Sequence, residues 1–379
     1  MPLALERYRM LDLSRQLPGP FCSTLLADLG MDVLCIGAPN DPFGVGISFL
    51  ARNKRSMTLN LKSERGREIF FRLLEDADVV LEGFRPGVMK RLGVDYETLA
   101  ARNPRVVYCS ITGYGQDGPY RDRVGHDVNY LGYAGVLNYI GEEGEAPVIP
   151  GVQIADIGGG SSMAAIGILT ALLAREQTGR GQAVDVAMMD GMVAWNAYHI
   201  LLHQTYGRLP KRGGEHLTGR HPFYAVYETR DGRHVTVGAY EAHFWATLCR
   251  HFGKEDWIAE QWADGEKLDE MMRFFRAAFR EKTLAEWMAE LGAKEICFGP
   301  VSMLDEMYED PQVKHRAMIV DMDGPAGRTR MTGVPIKLSD TPGRLRRPPV
   351  SLGQDTDAVL GELGMSAAEI AELRASNVV

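Results

Sequence analysis

Short apolar runs alternate with stretches of helical periodicity through the first third of the chain, and this alternation limits the fold more than any other feature. The runs are residues 33–36 (VLCI), 79–81 (VVL) and 106–111 (VVYCSI). Between them, residues 20–29 and 64–75 carry apolar side chains at spacings of three and four. Strands alternating with helices predict an α/β fold built on a mostly parallel, doubly wound sheet. A clear helix follows at about 161–174, with Asp156, Gly158, Gly159 and Gly160 before it and Gly179 as its stop signal. A second helix, about 188–206, is apolar on several faces and is expected to be buried.

Beyond it the pattern changes. The segment KRGGEHLTGRHP (211–222) reads as a linker or lid, and YAVYETRDGRHVTVGA as a β-hairpin turning at Asp231-Gly232. Helical segments run on to about 291, which suits a smaller α+β domain, and the tail opens proline-rich before closing as helix. The expected organisation is a large domain over 1–210 completed by 331–379, a linker at 211–224 and a small domain over 225–330.

The 42 basic and 50 acidic side chains give a net charge of −8, which argues against non-specific nucleic-acid binding but leaves room for a local basic pocket. Five scattered cysteines without a CxxC pair suit a reducing compartment. The amino terminus lacks a signal-peptide pattern, and the longest apolar stretch, 163–174, is short for a bilayer. A cytoplasmic protein without a membrane partner is expected.

Several motifs favour plain readings. Gly113, Gly115 and Gly118 form GxGxxG after a strand, but Pro119 and Tyr120 follow where a helix should open. Asn138 and Tyr139 stand where an acidic residue is expected about 20 positions on. A glycine turn explains the string better than a nicotinamide site. His199 and His203 are four apart on a helix without HExxH or a third ligand, so no metal is expected. Ser161 and Ser162 lack a GxSxG elbow and read as helix capping. GHDVNY (125–130) is more informative, because its histidine sits in a loop beside an aspartate. Asp156 could be a simple helix cap, yet the glycines after it would let a ligand approach the backbone.

Taken with LPGPFCSTLLADLG (17–30), RNKRSMTLNLK (52–62), DVVLEGFRPGVMKRLG (78–93), SITGYGQDGP (110–119), IADIGGGSSMAAIGIL, TGRGQAVDVAMMDG (178–191) and PFYAVYETRDGRHVTVGAYEAHFW (222–245), these residues make the whole chain resemble the family III coenzyme A transferase (CaiB/BaiF-like) superfamily. Within it, the histidine of GHDVNY, the lid LTGRHPFY and Glu241 in GAYEAHF resemble the α-methylacyl-CoA racemase branch. The resemblance implies a Rossmann-like large domain and a small domain in an interlocked homodimer, with a role in lipid metabolism. It implies proton transfer by His126 and Asp156, with Glu241 supporting the histidine, and acyl-CoA as substrate with no cofactor beyond its coenzyme A.

For coenzyme A it implies Arg85 and Arg91 at the phosphates and the stretch Thr58, Leu59, Asn60, Leu61 and Lys62 at the adenine. Gly83, Phe84, Gly125, Asp127 and Tyr130 complete the substrate site, with backbone N–H groups near Asp127 or in the glycine-rich turn as candidates to face the enolate. The sequence departs from the racemase pattern at Gly37 and Ala38, where an arginine is expected, and at GQDT (353–356). Three readings stay open: the racemase, a CoA-transferase with Asp156 as nucleophile, and a non-catalytic acyl-CoA-binding protein.

Overall fold

The computed structural model describes residues 2–41, 48–324 and 327–379. Its larger sheet has six strands: β1 (Arg9–Asp12), β2 (Asp32–Gly37), β3 (Lys54–Thr58), β4 (Val79–Glu82), β5 (Val107–Thr112) and β6 (Ala183–Ala187). All neighbours pair in parallel, in the order β3-β2-β1-β4-β5-β6. In this doubly wound order the winding of successive strands reverses between β1 and β4, and the loops leaving those two parallel strands part to open a crevice. The expected α/β class and three apolar runs are therefore found, the runs as β2, β4 and β5.

Charge hides the other strands from an apolar count. β3 reads KRSMT, yet Lys54 is buried: its Nζ donates to Pro20 O at 2.9 Å and to Ser23 Oγ at 2.7 Å, 3.8 Å from the Asp12 carboxylate. Arg52 is buried against Asp28 at 2.7 Å. A charge leaves water only when paired and hydrogen-bonded, so the motif RNKRSM largely serves the fold. The strand ends at Thr58, so the rest of the 58–62 stretch lies beyond it. Leu59 N–H still reaches Gly37 O, but Ser63 then caps α2 (Glu64–Leu74) by accepting from Gly66 N at 3.0 Å.

The helix expected from about 161 starts earlier. It runs Ala155–Thr178 (α6 below), and its first eight residues, Ala155–Ser162, are wound as a π-helix. By length and hydropathy the whole segment could cross a membrane, where the 163–174 run alone is too short. Here it packs on the sheet, burying Ala164, Ala165, Ile168, Ala171 and Leu172 with Arg175, which pairs with Asp78 at 2.7 Å.

The expected helix at 188–206 is two helices, α7 (Met188–Trp195) and α8 (Ala197–Tyr206), broken at Asn196, whose side-chain amide donates to Ala134 O. Nor is it uniformly buried, since Val193, Trp195, Ile200 and Leu201 face outward.

Contacts divide the chain into two compact units. The first comprises residues up to Ala134, Gly151–Asn196 and Pro311–Val379. Its core includes tail residues Val359, Leu360, Ile370 and Leu373 beside Phe70 and Val80. The second comprises Gly135–Pro150 and Ala197–Asp310. It holds an antiparallel sheet of β7 (Tyr224–Glu228), β8 (His234–Gly238) and β9 (Phe298–Pro300), backed by a core containing Trp245, Phe275 and Trp287. The expected hairpin turn is present, with Gly232 at φ +71°.

This division differs from the expected boundaries at 135–150, 197–210 and 311–330. In the second unit His199 stacks on Tyr139 with centroids 3.8 Å apart, and Arg212 donates to Asn138 O at 2.9 Å. The 211–224 segment is pinned there by buried Glu215, which binds Arg208 at 2.7 Å and accepts from Lys211 N at 2.9 Å.

Candidate active site

A cleft of about 640 Å3 opens at the β1–β4 crevice of the first unit. Gln16 and Arg15 line it from the loop after β1, and Gly83, Phe84 and Arg85 from the loop after β4. Its other wall carries Gly125, His126, Tyr130 and Asp156. The two proton-transfer candidates thus share one cavity although 30 residues separate them in sequence.

Local contacts explain how each is held. His126 is the exposed N-cap of α5 (Asp127–Tyr133), and its backbone N–H donates to Asn129 Oδ1 at 3.0 Å. Asp127 Oδ1 accepts from Ala155 N at 2.6 Å and Asp156 N at 3.0 Å. Both donors belong to the first turn of α6, where N–H groups lack partners within the helix. The Asp127 carboxylate therefore fastens the backbone of Asp156 to the His126 loop, a task the sequence does not announce.

Buried Tyr130 donates its hydroxyl to Gly125 O, and a Cβ at Gly113 would meet its ring at 2.4 Å. The first glycine of the GxGxxG string makes room for this ring. Gly115 and Gly118 hold left-handed turns at φ +93° and +79°, as a glycine turn requires.

The glycines after Asp156 face protein rather than open cleft. A Cβ on Gly159 would stand 2.4 Å from Met188 O, and one on Gly158 2.6 Å from the Trp195 ring. They let α7 approach the π-wound turn, and this contact, with the Asp127 anchor, offsets the poor helix propensity of three glycines. π-Turns inside helices recur at functional sites, and this one carries Asp156.

Burial pushes the Asp156 carboxyl up to about 6, the Asp127 carboxylate adds to the rise, and His126 opposes it. Buried Glu82, at the end of β4, rises to about 7 by desolvation, opposed by hydrogen bonds from Ser110, Phe84 N–H and Tyr108. It accepts from Phe84 N at 2.7 Å and so fixes the loop that forms one lip of the cleft.

The remaining expected residues lie elsewhere. Leu59 and Leu61 are core side chains, so only their backbone could meet a ligand. Thr58 N donates to Thr356 Oγ1 at 3.1 Å and Asn60 N to Val378 O at 2.8 Å, while Lys62 is exposed. The GQDT motif thus braces β3 through Thr356. Arg91 sits exposed on α3 (Val88–Leu92), outside the cleft lining. Glu241 is the exposed N-cap of α9 (Ala242–His251) in the second unit. Sequence reasoning missed Arg15, Arg121, Arg123 and Tyr114, all on the cleft. The one available signal was YRDR (120–123), two arginines one residue short of GHDVNY. Arg15 lies 3.0 Å from Asp41 and stacks over Phe84 with its guanidinium 5.0 Å from the ring centroid.

Residues 5–356 match the family described as CoA-transferase family III. The chain belongs to that family. Within it, the chain is 35% identical to human "alpha-methylacyl-CoA racemase", aligning 100% of this chain with 98% of that protein. It is 33% identical to the "formyl-CoA:oxalate CoA-transferase" of Streptomyces avermitilis, with both chains covered in full. A crystal structure of a CAIB/BAIF family protein from Brucella suis superposes with TM-score 0.81 at 30% identity, covering 96% of this chain and 100% of that one. The family therefore holds both chemistries suggested by the motifs, and its fold is the one described above.

Proposed function

We propose that this family III member inverts the α-carbon of 2-methyl-branched acyl-CoA thioesters by two-base proton transfer. The observation that carries the reading is the presence of His126 and Asp156 on one cleft, with Asp156 held near 6. Racemisation must take a weakly acidic proton from one face of a planar enolate and return one to the other. Two groups, one protonated and one not, serve both directions. Histidine titrates near neutrality without tuning, and a carboxyl raised toward 6 is far better matched to it than an ordinary aspartate. Identity to a racemase along the full length supports the same reading.

In this proposal Glu241 orients the His126 ring and stabilises its imidazolium, as carboxylates do in other catalytic pairs. Asp127 opens α5, and its N–H, without an intrahelical acceptor, can donate to the enolate oxygen. Gly125 and Tyr130 shape the wall around that oxygen. Coenzyme A enters as part of the substrate, and proton transfer asks for no further cofactor. The phosphates meet Arg85 and Arg91, the acyl–pantetheine arm passes Gly83 and Phe84, and the adenine lies by Thr58–Lys62. The working form is a cytoplasmic homodimer. Outward apolar side chains, Ile166 and Leu173 in the first unit and Ile200 and Leu201 in the second, support an oligomer that covers them.

The test is a 2-methylacyl-CoA in deuterated water with no carboxylic acid acceptor. Exchange of the α-hydrogen is expected. Coenzyme A transfer seen only with an acceptor would show the transferase activity instead, with Asp156 as nucleophile, and neither reaction would leave a binding protein.

A further inference from the structure

Two guanidinium groups from separate segments, a helix and a loop, converge beside the cleft. Gly87, between β4 and α3, has φ +81°, and a Cβ built on it would lie 3.4 Å from Arg121 Nη2 and 3.6 Å from Arg91 Nη1. Arg91 comes from α3, whereas Arg121 follows the Gly118 turn, its N–H bonded to Gly118 O at 3.3 Å. Both side chains are exposed, and neither pairs with a carboxylate among the described residues. Free in water, two like charges would part. Here they reach the same spot beside Gly87, whose left-handed φ favours glycine.

A guanidinium presents donors in a planar fork that matches phosphate oxygens, and a single phosphate can accept from two such forks. Arg121 also lines the cleft that holds His126 and Asp156.

We infer that Arg121 and Arg91 form a shared phosphate site at the edge of the cleft, with Arg121 a binding residue for a phosphate of the coenzyme A portion. The inference rests on the acyl-CoA reading given above. Two phosphate sources exist within coenzyme A, the diphosphate and the ribose 3′-phosphate, and both offer the same oxygens.

Calorimetric titration of coenzyme A into the full-length wild type, Arg121→Gln, Arg91→Gln and the double variant tests it. Each single change is expected to weaken binding about tenfold, as loss of a charge-assisted bond does. The double change should cost less than the product of the two, because the partners share one phosphate. Arg121→Lys should recover part of the loss. Titration with 3′-dephospho-CoA separates the sources: a retained Arg121 effect assigns the diphosphate, a lost one the 3′-phosphate, and either supports the site. S-acyl pantetheine, which has no phosphate, should bind all variants alike.

Coenzyme A binding by Arg121→Gln equal to wild type overturns the inference, and so does an equal loss with S-acyl pantetheine. Wild type that fails to bind coenzyme A overturns it together with the acyl-CoA reading. Arg121-dependent binding without α-hydrogen exchange would instead sink only the racemase chemistry.

Discussion

Asp156 sits between two opposed influences, burial that raises a carboxyl pKa and a helix amino terminus that lowers it. The structure resolves the contest for burial. The Asp127 carboxylate takes the N–H groups of Ala155 and Asp156 and adds a negative charge beside the group. A carboxyl whose folded pKa lies above its unfolded value costs stability when ionised. The cost is present above about 6 and disappears as pH falls toward the ordinary value of 3.8. Asp156→Asn should therefore stabilise the fold at pH 8 by on the order of 1 kcal/mol, after discount for partial exposure. That gain should vanish by about pH 4. Thermal melts of both proteins across this range check it, and an equal or lower melting temperature for the variant at pH 8 would contradict the stated environment. His126 and Asp156 were legible in the sequence as motif residues. Asp127 as an anchor, Glu82 as a loop clamp and Arg121 as a cleft cation were not, because each acts through a neighbour distant in sequence.

Among the elements, the glycine-rich start of α6 shows how local signals mislead. Three glycines read as a flexible approach before a helix, whereas they form a π-wound turn pressed against α7. A methyl on Gly159 would sit 2.4 Å from a backbone oxygen, which cannot swing aside as a side chain can. Gly159→Ala should cost about 3 kcal/mol, at the upper end for overpacking, and depress turnover by displacing Asp156. Gly132→Ala on α5 meets nothing within 4 Å and should be neutral or slightly stabilising. Chemical denaturation and α-hydrogen exchange rates for the pair check both. Strands β2, β4 and β5 were readable because they are apolar; β1, β3 and β6 were not, since their charged side chains find ion-pair or hydrogen-bond partners only in three dimensions. The break at Asn196 was invisible to periodicity for the same reason, as its partner Ala134 lies 62 positions away.

For the molecule as a whole, the alternating pattern was enough to reach the doubly wound sheet, and with it the crevice where sheets of this kind bind ligands. Periodicity could not tell which apolar helix faces a second copy would cover. Val193, Trp195, Ile200 and Leu201 read as core and point outward, Trp195 with 52% exposure. A dimer that hides them should persist at micromolar concentration, and sedimentation at the monomer mass of 41.9 kDa would contradict it. The central claim, that His126 and Asp156 serve opposite faces of one enolate, has a direct test in proton NMR of the α-hydrogen. Each pure enantiomer of a 2-methylacyl-CoA is incubated in deuterated water with His126→Ala and with Asp156→Ala. Racemisation should collapse in both variants, while each still exchanges one enantiomer with retention, and the two should prefer opposite hands. If both variants exchange the same enantiomer, one of these residues does not transfer protons and the two-face account is wrong.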